Sequence, residues 1–547
     1  MPHKLPNRLP VYILAAILGG SAVSACTSTA RAPVQMTYYV SPQGNDAAAG
    51  TSPAKAWRSL NRANSATLPP GARLLLQGGK RFSGQLTLDE HDAGSATRPV
   101  LVSSYGAGRA IIATNSPTGI AIHDTAGVDI SNISLTGTAK HAASGAGINI
   151  YNDLGGNRKL DHVYVSNIDA SGFANGISVG GGNGASGFRN VSISNSVLHN
   201  NLDAGLQTYG PAFSGRTPIY ANENVDVSHV EAFHNRGDRA NHSYSTGSGI
   251  ILASVNGGNV SWSAAYDNGG IGGAVQGPEG IWAYNSTRVV IEHNISYDNH
   301  TRNIYDGSGF GLDQNTSYSY LQYNLSYGND GAGYMLYSAL LNGLQAHNVV
   351  RFNISSGDEL DGNPQLGGIN VSGLVSDIDV YQNTVVTRPP PQGSPALYLG
   401  IKIRNVTVRN NIFMTQAGLI VSTNGPLPPH KALLQGNDYY SMSSSWSILW
   451  GRATYSSIHT WRSATGQELI GGKPTGFTRD PNLAGPVLGL RIKTVGEAMT
   501  AGSFNLDHGS PLIAAGLDLS HLFGLHPVSQ NYSGNQVSMR IPNVGAE

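Results

Sequence analysis

The chain is 547 residues long and carries 33 lysines and arginines against 33 aspartates and glutamates. That balance, with no basic cluster, excludes nucleic acid as the expected partner. Only 12% of residues are charged, whereas glycine reaches 70 and tyrosine 25, which suits many short strands joined by tight turns and not helices; apolar residues recurring in ordered phase exclude disorder.

At the N-terminus, Lys4 and Arg8 precede or flank the start of the apolar stretch VYILAAILGG. That stretch is too short for a permanent spanning helix, so residues 1–25 read as a cleaved signal peptide. Val23-Ser24-Ala25-Cys26 resembles a bacterial lipobox, in which the cysteine is diacylated and becomes the new N-terminus. Cys26 is the only cysteine, so it has no disulfide partner in the chain, and it falls where cleavage is expected. Residues 26–36, the lipidated cysteine followed by a Ser/Thr/Ala/Pro-rich stretch, read as a flexible tether. Thr27 in place of Asp after the cysteine resembles the pattern for outer-membrane sorting in hosts that have an outer membrane. The expectation is an exported monomer anchored to a membrane through Cys26.

From residue 37 onward a strand of the form Gly-apolar-x-apolar-x recurs. It reads GIAIH from Gly119, GINIY from Gly147, GISVG from Gly176, GLQTY from Gly205 and GIILA from Gly249. It continues as GIWAY from Gly280, GFGLD from Gly309, GYMLY from Gly333, GINVS from Gly368, ALYLG from Ala396 and GLIVS from Gly418. Between copies lies a second strand, often ending in Asn, as in NVSISN, RVVIEHN and NVTVRNN. Successive copies are roughly 22 to 44 residues apart, most near 29, within the period range of solenoids. Alternation within each copy gives strands, and a tandem array gives coils whose apolar side chains face inward. The recurrent Asn fits internal amide ladders that satisfy turn backbone groups. A propeller would need four antiparallel strands in a longer repeat, and a leucine-rich horseshoe its own Leu spacing; neither fits. The expected fold is an all-β right-handed parallel β-helix of about eleven or more coils over residues 37–437.

YYVSPQGNDAAAGTSPAKAWRSLNRAN from Tyr38, LPPGARLLLQGGKRFSGQLTL, GIWAYNSTRVVIEHNISYDN and DGSGFGLDQNTSYSYLQYNLSYGNDGAGYMLY carry a resemblance. They look like the N-terminal and middle coils of secreted bacterial right-handed β-helix proteins of the pectate-lyase-like superfamily. The resemblance covers nearly all of the mature chain. It implies an N-terminal capping helix, here near Ala54 to Ser65, and a carbohydrate-active protein. It is specific for fold but not for reaction, because the superfamily holds lyases, hydrolases, epimerases and non-catalytic binders. After Asn437 the coil motif ends, and residues 438–547 read as a C-terminal cap over the last coil. A short helix is expected near His459 to Thr465, and the tryptophans of the cap are read as packing.

Aligned on the glycine, the residues two and four places on face outward from one sheet. This puts Tyr151, Tyr209, Trp282, Tyr284, Tyr337 and Tyr398 on one face as expected substrate-binding aromatics, since such rings stack on the C–H faces of sugars. Four carboxylates fall on three consecutive coils of the same face. Glu279 lies one place before its strand glycine, Asp306 and Asp330 each lie three before theirs, and Asp313 points out of the strand that Asp306 introduces. Asp306 and Asp330 are in phase on neighbouring coils, which predicts a separation on the order of 5 Å. Paired carboxylates are what glycoside hydrolysis needs, and their mutual repulsion keeps one protonated as the acid.

The expectation is therefore a cell-surface glycoside hydrolase acting on a polysaccharide, with Glu279, Asp306, Asp313 and Asp330 as the catalytic group and no cofactor required. The alternative is a polysaccharide lyase, in which Ca²⁺ neutralises a uronate and Lys402 or Arg404 acts as base; His300, Arg302 and His242 are further base candidates. The strands DGSGFGLD and GYMLY lack the Asp run and following Lys of family 9 polysaccharide lyases, which argues against it. A non-catalytic polysaccharide-binding surface protein is the third reading. GxGxxG-like stretches such as GGGNGASG lie in turns and precede no helix, so they are not nucleotide sites; there is no HExxH motif or Cys-based metal spacing, and the metal ligands, if any, are left open.

Overall fold

The computed structural model describes residues 35–547 apart from 139–144, 215–216, 303, 340–341, 390–393, 444, 526–527 and 539. The signal peptide, Cys26 and the tether up to residue 34 lie outside the described residues.

The solenoid opens with the strand Thr37–Val40, paired in parallel with Arg73–Gln77. The single capping helix expected near 54–65 is split into a 3₁₀ turn, Pro53–Lys55, and one α-turn, Leu60–Asn64. The break falls at Trp57, whose backbone bridges to Val40 and whose ring stacks on Tyr38 at 4.7 Å. Ser59 caps the helix by accepting from the Arg62 N–H at 3.1 Å, and Leu60 and Ala63 close the open end of the core.

Beyond this cap the architecture is a right-handed parallel β-solenoid. A 14-stranded sheet runs from Leu86–Leu88 to Ala453–Tyr455, and a 23-stranded sheet wraps the other sides. In early coils the second sheet uses long strands such as Gly187–His199 and Asn222–Phe233. Each of these carries two residues in the left-handed region, Asn190 and Asn195 in the first and Asn224 and His229 in the second. Asn tolerates that conformation better than other side chains. From Val255 the halves become separate strands, Val255–Ser261 and Ala264–Tyr266, which divide the faces. At the later bends Trp262, His293, Tyr323 and Phe352 take the left-handed conformation. Their rings stack at 5.0, 4.9 and 5.5 Å.

The inward positions are filled as the alternation predicts. Ile250, Ile281, Phe310, Tyr334, Ile369 and Leu397 form one column of six fully buried side chains, each contributing roughly 2 kcal/mol of burial. Tyr334 satisfies its hydroxyl by donating to the carbonyls of Asn324 and Ile354. The expected amide ladders are present: Asn235, Asn268, Asn299 and Asn329 each donate a side-chain N–H to the next member. That ladder ends on Asp358, and the one through Asn383, Asn411 and Asn437 ends on Glu468. A carboxylate suits the last place, where only an acceptor is needed.

The C-terminal region differs from expectation. Asp438–Ser441 and Trp446–Trp450 still pair in parallel with the coil below, so the coil pattern passes Asn437. The end is closed by the antiparallel strand Ala453–Tyr455 and the helix Ile458–Thr465. Trp461 on that helix is fully buried and packs edge-on against Trp450 and Tyr439. Much of the later segment does not cap the last coil but packs along the solenoid flank. Phe504, Leu512, Tyr532 and Val544 share an apolar cluster with Tyr297 and Tyr327. Apolar tyrosine faces stacked outside the coils, at 4.8 and 5.0 Å, are what this segment covers.

Candidate active site

The outward face of the 14-stranded sheet carries the expected aromatics, but the coils treat them differently. Tyr151 and Tyr209 lean together across Gly180 and stack at 6.4 Å, and His123 extends the stack at 5.5 Å. Only glycine fits between them, because a Cβ on Gly180 would stand 2.6 Å from the Tyr209 ring. Next to His123, Asp124 and Asp153 complete a trio whose ligand atoms lie within 4.8 Å of one another. Trp282 and Tyr284 stack at 5.0 Å, footed on Ala204, Ile251 and Ala253. Tyr337 is exposed, whereas Tyr398 is 3% exposed beneath a neighbouring cavity.

Three of the four expected carboxylates share one electrostatic neighbourhood. Glu279 is 3% exposed. Its backbone N–H donates to the Ser248 hydroxyl at 3.3 Å, and the same hydroxyl accepts from the Trp282 indole at 3.1 Å. The Glu279 carboxyl lies over Gly311 of the next strand, where a Cβ would stand 1.9 Å from Oε2. Gly311 therefore supplies the room the carboxyl occupies. Asp306 accepts from the Gly277 N–H at 2.7 Å, which ties its turn to the one carrying Glu279. Asp313 follows the strand Phe310–Leu312 and is held by its N–H to the Ala283 carbonyl at 2.7 Å.

Burial dominates the titration of all three. It raises the Glu279 carboxyl well above the usual range, with the fields of Asp313 and Asp306 adding to it. Burial and then the field of Asp306 push Asp313 up to about 8, against a hydrogen bond from the Gln314 backbone. Burial pushes Asp306 up only to about 6, because the Gly277 N–H stabilises its ionised form. Glu279 Oε2 and Asp313 Oδ1 have no hydrogen-bond partner among the described residues.

Asp330 is not brought into this group. Its turn is adjacent as expected, with Gly331 donating to the Gly307 carbonyl at 3.0 Å. Its carboxylate instead turns to the His300 ring at 3.2 Å and the Thr301 N–H at 3.0 Å. Asp330 thereby anchors the chain at His300 and Thr301. Of the base candidates, His300 is engaged by Asp330 and lies 3.7 Å from Asp267, which together hold its ring proton above the ordinary range. His242 meets the Gly273 carbonyl at 2.9 Å, and Arg302 and Arg404 are exposed. Lys402 lines a cavity of about 520 Å³ that also touches Asp306, Met335, Tyr337, Asn370 and Tyr398.

Asp203 is a residue that the sequence reading passed over. It lies two places before Gly205, and its field reaches Tyr284 and Tyr244. Burial first, then Asp238, push its carboxyl up to about 7, opposed by the Asn175 side chain. Its place at the turn before an aligned strand, like that of Glu279, is the signal that could have found it.

No family model matches the chain. It is 24% identical over 420 residues to a lacto-N-biosidase of Bifidobacterium longum subsp. longum, covering 59% of this chain and 26% of the relative. The chain thus spans about a quarter of the length of that curated relative. It is similar in fold to the selenomethionine derivative of a GH136 lacto-N-biosidase from Eubacterium ramulus, with a TM-score of 0.50 and 18% identity over 74% of this chain and 67% of that one. Pectate lyase Pel9A overlays with a TM-score of 0.43 and 17% identity over 93% of this chain and 96% of that one.

Proposed function

We propose that the chain is a glycoside hydrolase acting on a polysaccharide laid along the outward face, anchored for that task at the cell surface through Cys26. The observation that carries this reading is the trio Glu279, Asp306 and Asp313, which act on one another with the Glu279 carboxyl seated over Gly311 and have proton affinities raised to different degrees. At neutral pH Asp313 keeps its proton and Asp306 is ionised, which is the acid and carboxylate pair that glycosidic cleavage requires. Asp313 gives its proton to the leaving oxygen as the glycosidic C–O bond breaks. Asp306 either takes a proton from the attacking water or attacks the anomeric carbon itself, with water releasing the sugar in a second step. Glu279 is nearly inaccessible and acts as a positioning residue that shares protons with Asp313. Trp282, Tyr284 and Tyr337 stack on the sugars nearest the bond, and Tyr151 and Tyr209 extend the same face, whereas Tyr398, 3% exposed, floors the neighbouring cavity. The name of the Bifidobacterium relative, that of a glycosidase, agrees with hydrolysis.

One observation favours the lyase as second reading: Lys402 lines the same cavity as Asp306. The trio is also an all-oxygen donor set of the kind Ca²⁺ takes, and Glu279 and Asp313 each have an unpartnered oxygen to offer it. Bound there, the ion would neutralise a uronate carboxylate. A polysaccharide panel separates the readings. New reducing ends without ultraviolet absorbance support hydrolysis, absorbance from unsaturated uronides replaces it by elimination, and retention without cleavage leaves a binder. Asp306→Asn and Glu279→Gln are expected to abolish cleavage with thermal unfolding nearly unchanged; full activity in both overturns the site.

A further inference from the structure

The cavity beside Asp306 has a volume of about 520 Å³, inside the range of small-ligand pockets. Its floor is apolar: Met335 and Tyr398 are each 3% exposed and Leu366 is 7% exposed. Part of its wall is the turn after Tyr398, which carries Lys402 and is tied to Lys431 through the Ile401 carbonyl. Lys402 lines the cavity, and the Lys431 ammonium donates to the Ile401 carbonyl at 3.1 Å beneath it. Neither lysine has a carboxylate within ion-pair distance among the described residues. Asn424 adds a donor. Its Oδ1 is fixed toward the Ile401 N–H at 2.9 Å, so the amide NH₂ is the group left to face outward. Asp306, the one carboxylate lining the cavity among the described residues, belongs to the opposite end. The strands holding Gly311, Met335, Asn370 and Tyr398 pair in sequence, so three coil steps, about 14 Å, separate the Asp306 strand from the Lys402 strand.

An apolar floor with uncompensated donors at one end and a carboxylate at the other does not match a neutral sugar alone. We propose that this cavity is a subsite for an anionic sugar, carrying a carboxylate or a sulfate, and that Lys402 recognises the charge; this rests on the glycosidase reading of the adjacent trio. The anion lies away from Asp306, so the ionised carboxylate does not repel it from the subsite. The Asn424 amide, on the next coil, reinforces Lys402 at the same end of the cavity.

The test reads binding and not turnover, so that it fails separately from the hydrolase reading. The full chain, in wild-type, Lys402→Met and Lys402→Arg forms, is titrated calorimetrically with oligogalacturonides, sulfated galactan oligosaccharides and neutral galactan oligosaccharides of equal length. The expected result is a Kd lower by about fivefold or more for an anionic ligand than for the neutral one, shrinking as salt rises. Lys402→Met erases that preference and Lys402→Arg keeps it. Preference for carboxylate over sulfate, or the reverse, supports the subsite and identifies the group. Equal affinity for all three ligands, binding to none, or a preference that survives Lys402→Met overturns it. Lys402-dependent binding without any hydrolysis leaves this subsite standing and removes the hydrolase reading.

Discussion

Gly311→Ala tests the geometry of the carboxyl trio directly. Gly311 does not have a left-handed backbone, so alanine is conformationally acceptable there and the perturbation is purely steric. The new Cβ would stand 1.9 Å from Glu279 Oε2, 2.8 Å from its Cδ and 2.9 Å from Oε1. The Glu279 backbone is pinned on both sides, through its N–H to Ser248 and its carbonyl to the Gly249 N–H at 3.1 Å. The carboxyl therefore has to leave its place. Overpacking of this kind costs about 1–3 kcal/mol, which for a chain this long moves the melting temperature by only about 1–3 °C. Activity falls further, at least about tenfold, because the group that shares protons with Asp313 is displaced. The decisive measurement is a double-mutant cycle with Glu279→Ala, which removes the obstructing carboxyl. In that background Gly311→Ala is expected to cost nearly nothing, giving a coupling of about 1–3 kcal/mol in calorimetric or denaturant unfolding. Additive effects, or a Gly311→Ala protein with wild-type stability and rate, would refute the argument.

The remaining predictions follow from neighbouring contacts. The pH profile of kcat/KM is expected to be bell-shaped, with limbs near 6 from Asp306 and near 8 from Asp313. Because both folded values are raised, their contribution to stability is full below the unfolded carboxylate range and is lost as pH rises through 6 and then 8; melting scans of the Asp306→Asn/Asp313→Asn protein should lose that slope. Asp330→Asn is expected to lower kcat/KM severalfold with both limbs in place, and to cost about 1 kcal/mol by loosening the Thr301 anchor; a dead enzyme would return Asp330 to the reacting group. Glu468→Ala strips acceptors from the Gly436 N–H, the Asn437 amide and the Tyr439 hydroxyl, costing upwards of about 3 kcal/mol, and limited proteolysis should open the last coils first. Chelation of calcium is expected to leave hydrolysis unchanged, read as reducing-end release with and without EDTA.

The fold was legible because a coil repeats its constraints. Alternation places Ile281 and Ala283 inward and Trp282 and Tyr284 outward, and the strand-ending asparagines mark the ladders. What escaped was set by contacts with no local signature. Trp57 breaks the capping helix by pairing with Val40, a partner 17 positions away (57 − 40). The C-terminal segment covers a column of tyrosines on the flank, and nothing in its own sequence states which face it seeks. At the candidate site, in-phase spacing brought the Asp306 and Asp330 turns together, yet side-chain direction was decided by His300 and Thr301, which spacing does not report. Asp203 was missed because only its strand, and not its turn, was aligned.

The columns also explain why Glu279 stands out. In seven other coils the residue before the aligned strand is Ala146, Asn175, Ala204, Ser248, Ser308, Ala332 or Gly367, and Glu279 is the ionisable exception among them. Every one of those positions is buried, so the coil admits small side chains there and a carboxylate would ordinarily be expelled. From the Gly249 coil onward, the place two after the strand start holds Ile251, Trp282, Met335, Asn370, Tyr398 and Ile420, and Gly311 is the gap among them; earlier coils also take the small Ala121 and Ser178 there. An oversized acid and an undersized neighbour on adjacent coils compensate each other in volume, which coil packing alone does not require, since serine and methionine would satisfy the two columns. Asp330 has no such signature, and its ordinary turn contacts account for it. The paired departure at Glu279 and Gly311 supports the proposed site, in which the Glu279 carboxyl is kept for its effect on Asp313 and Asp306.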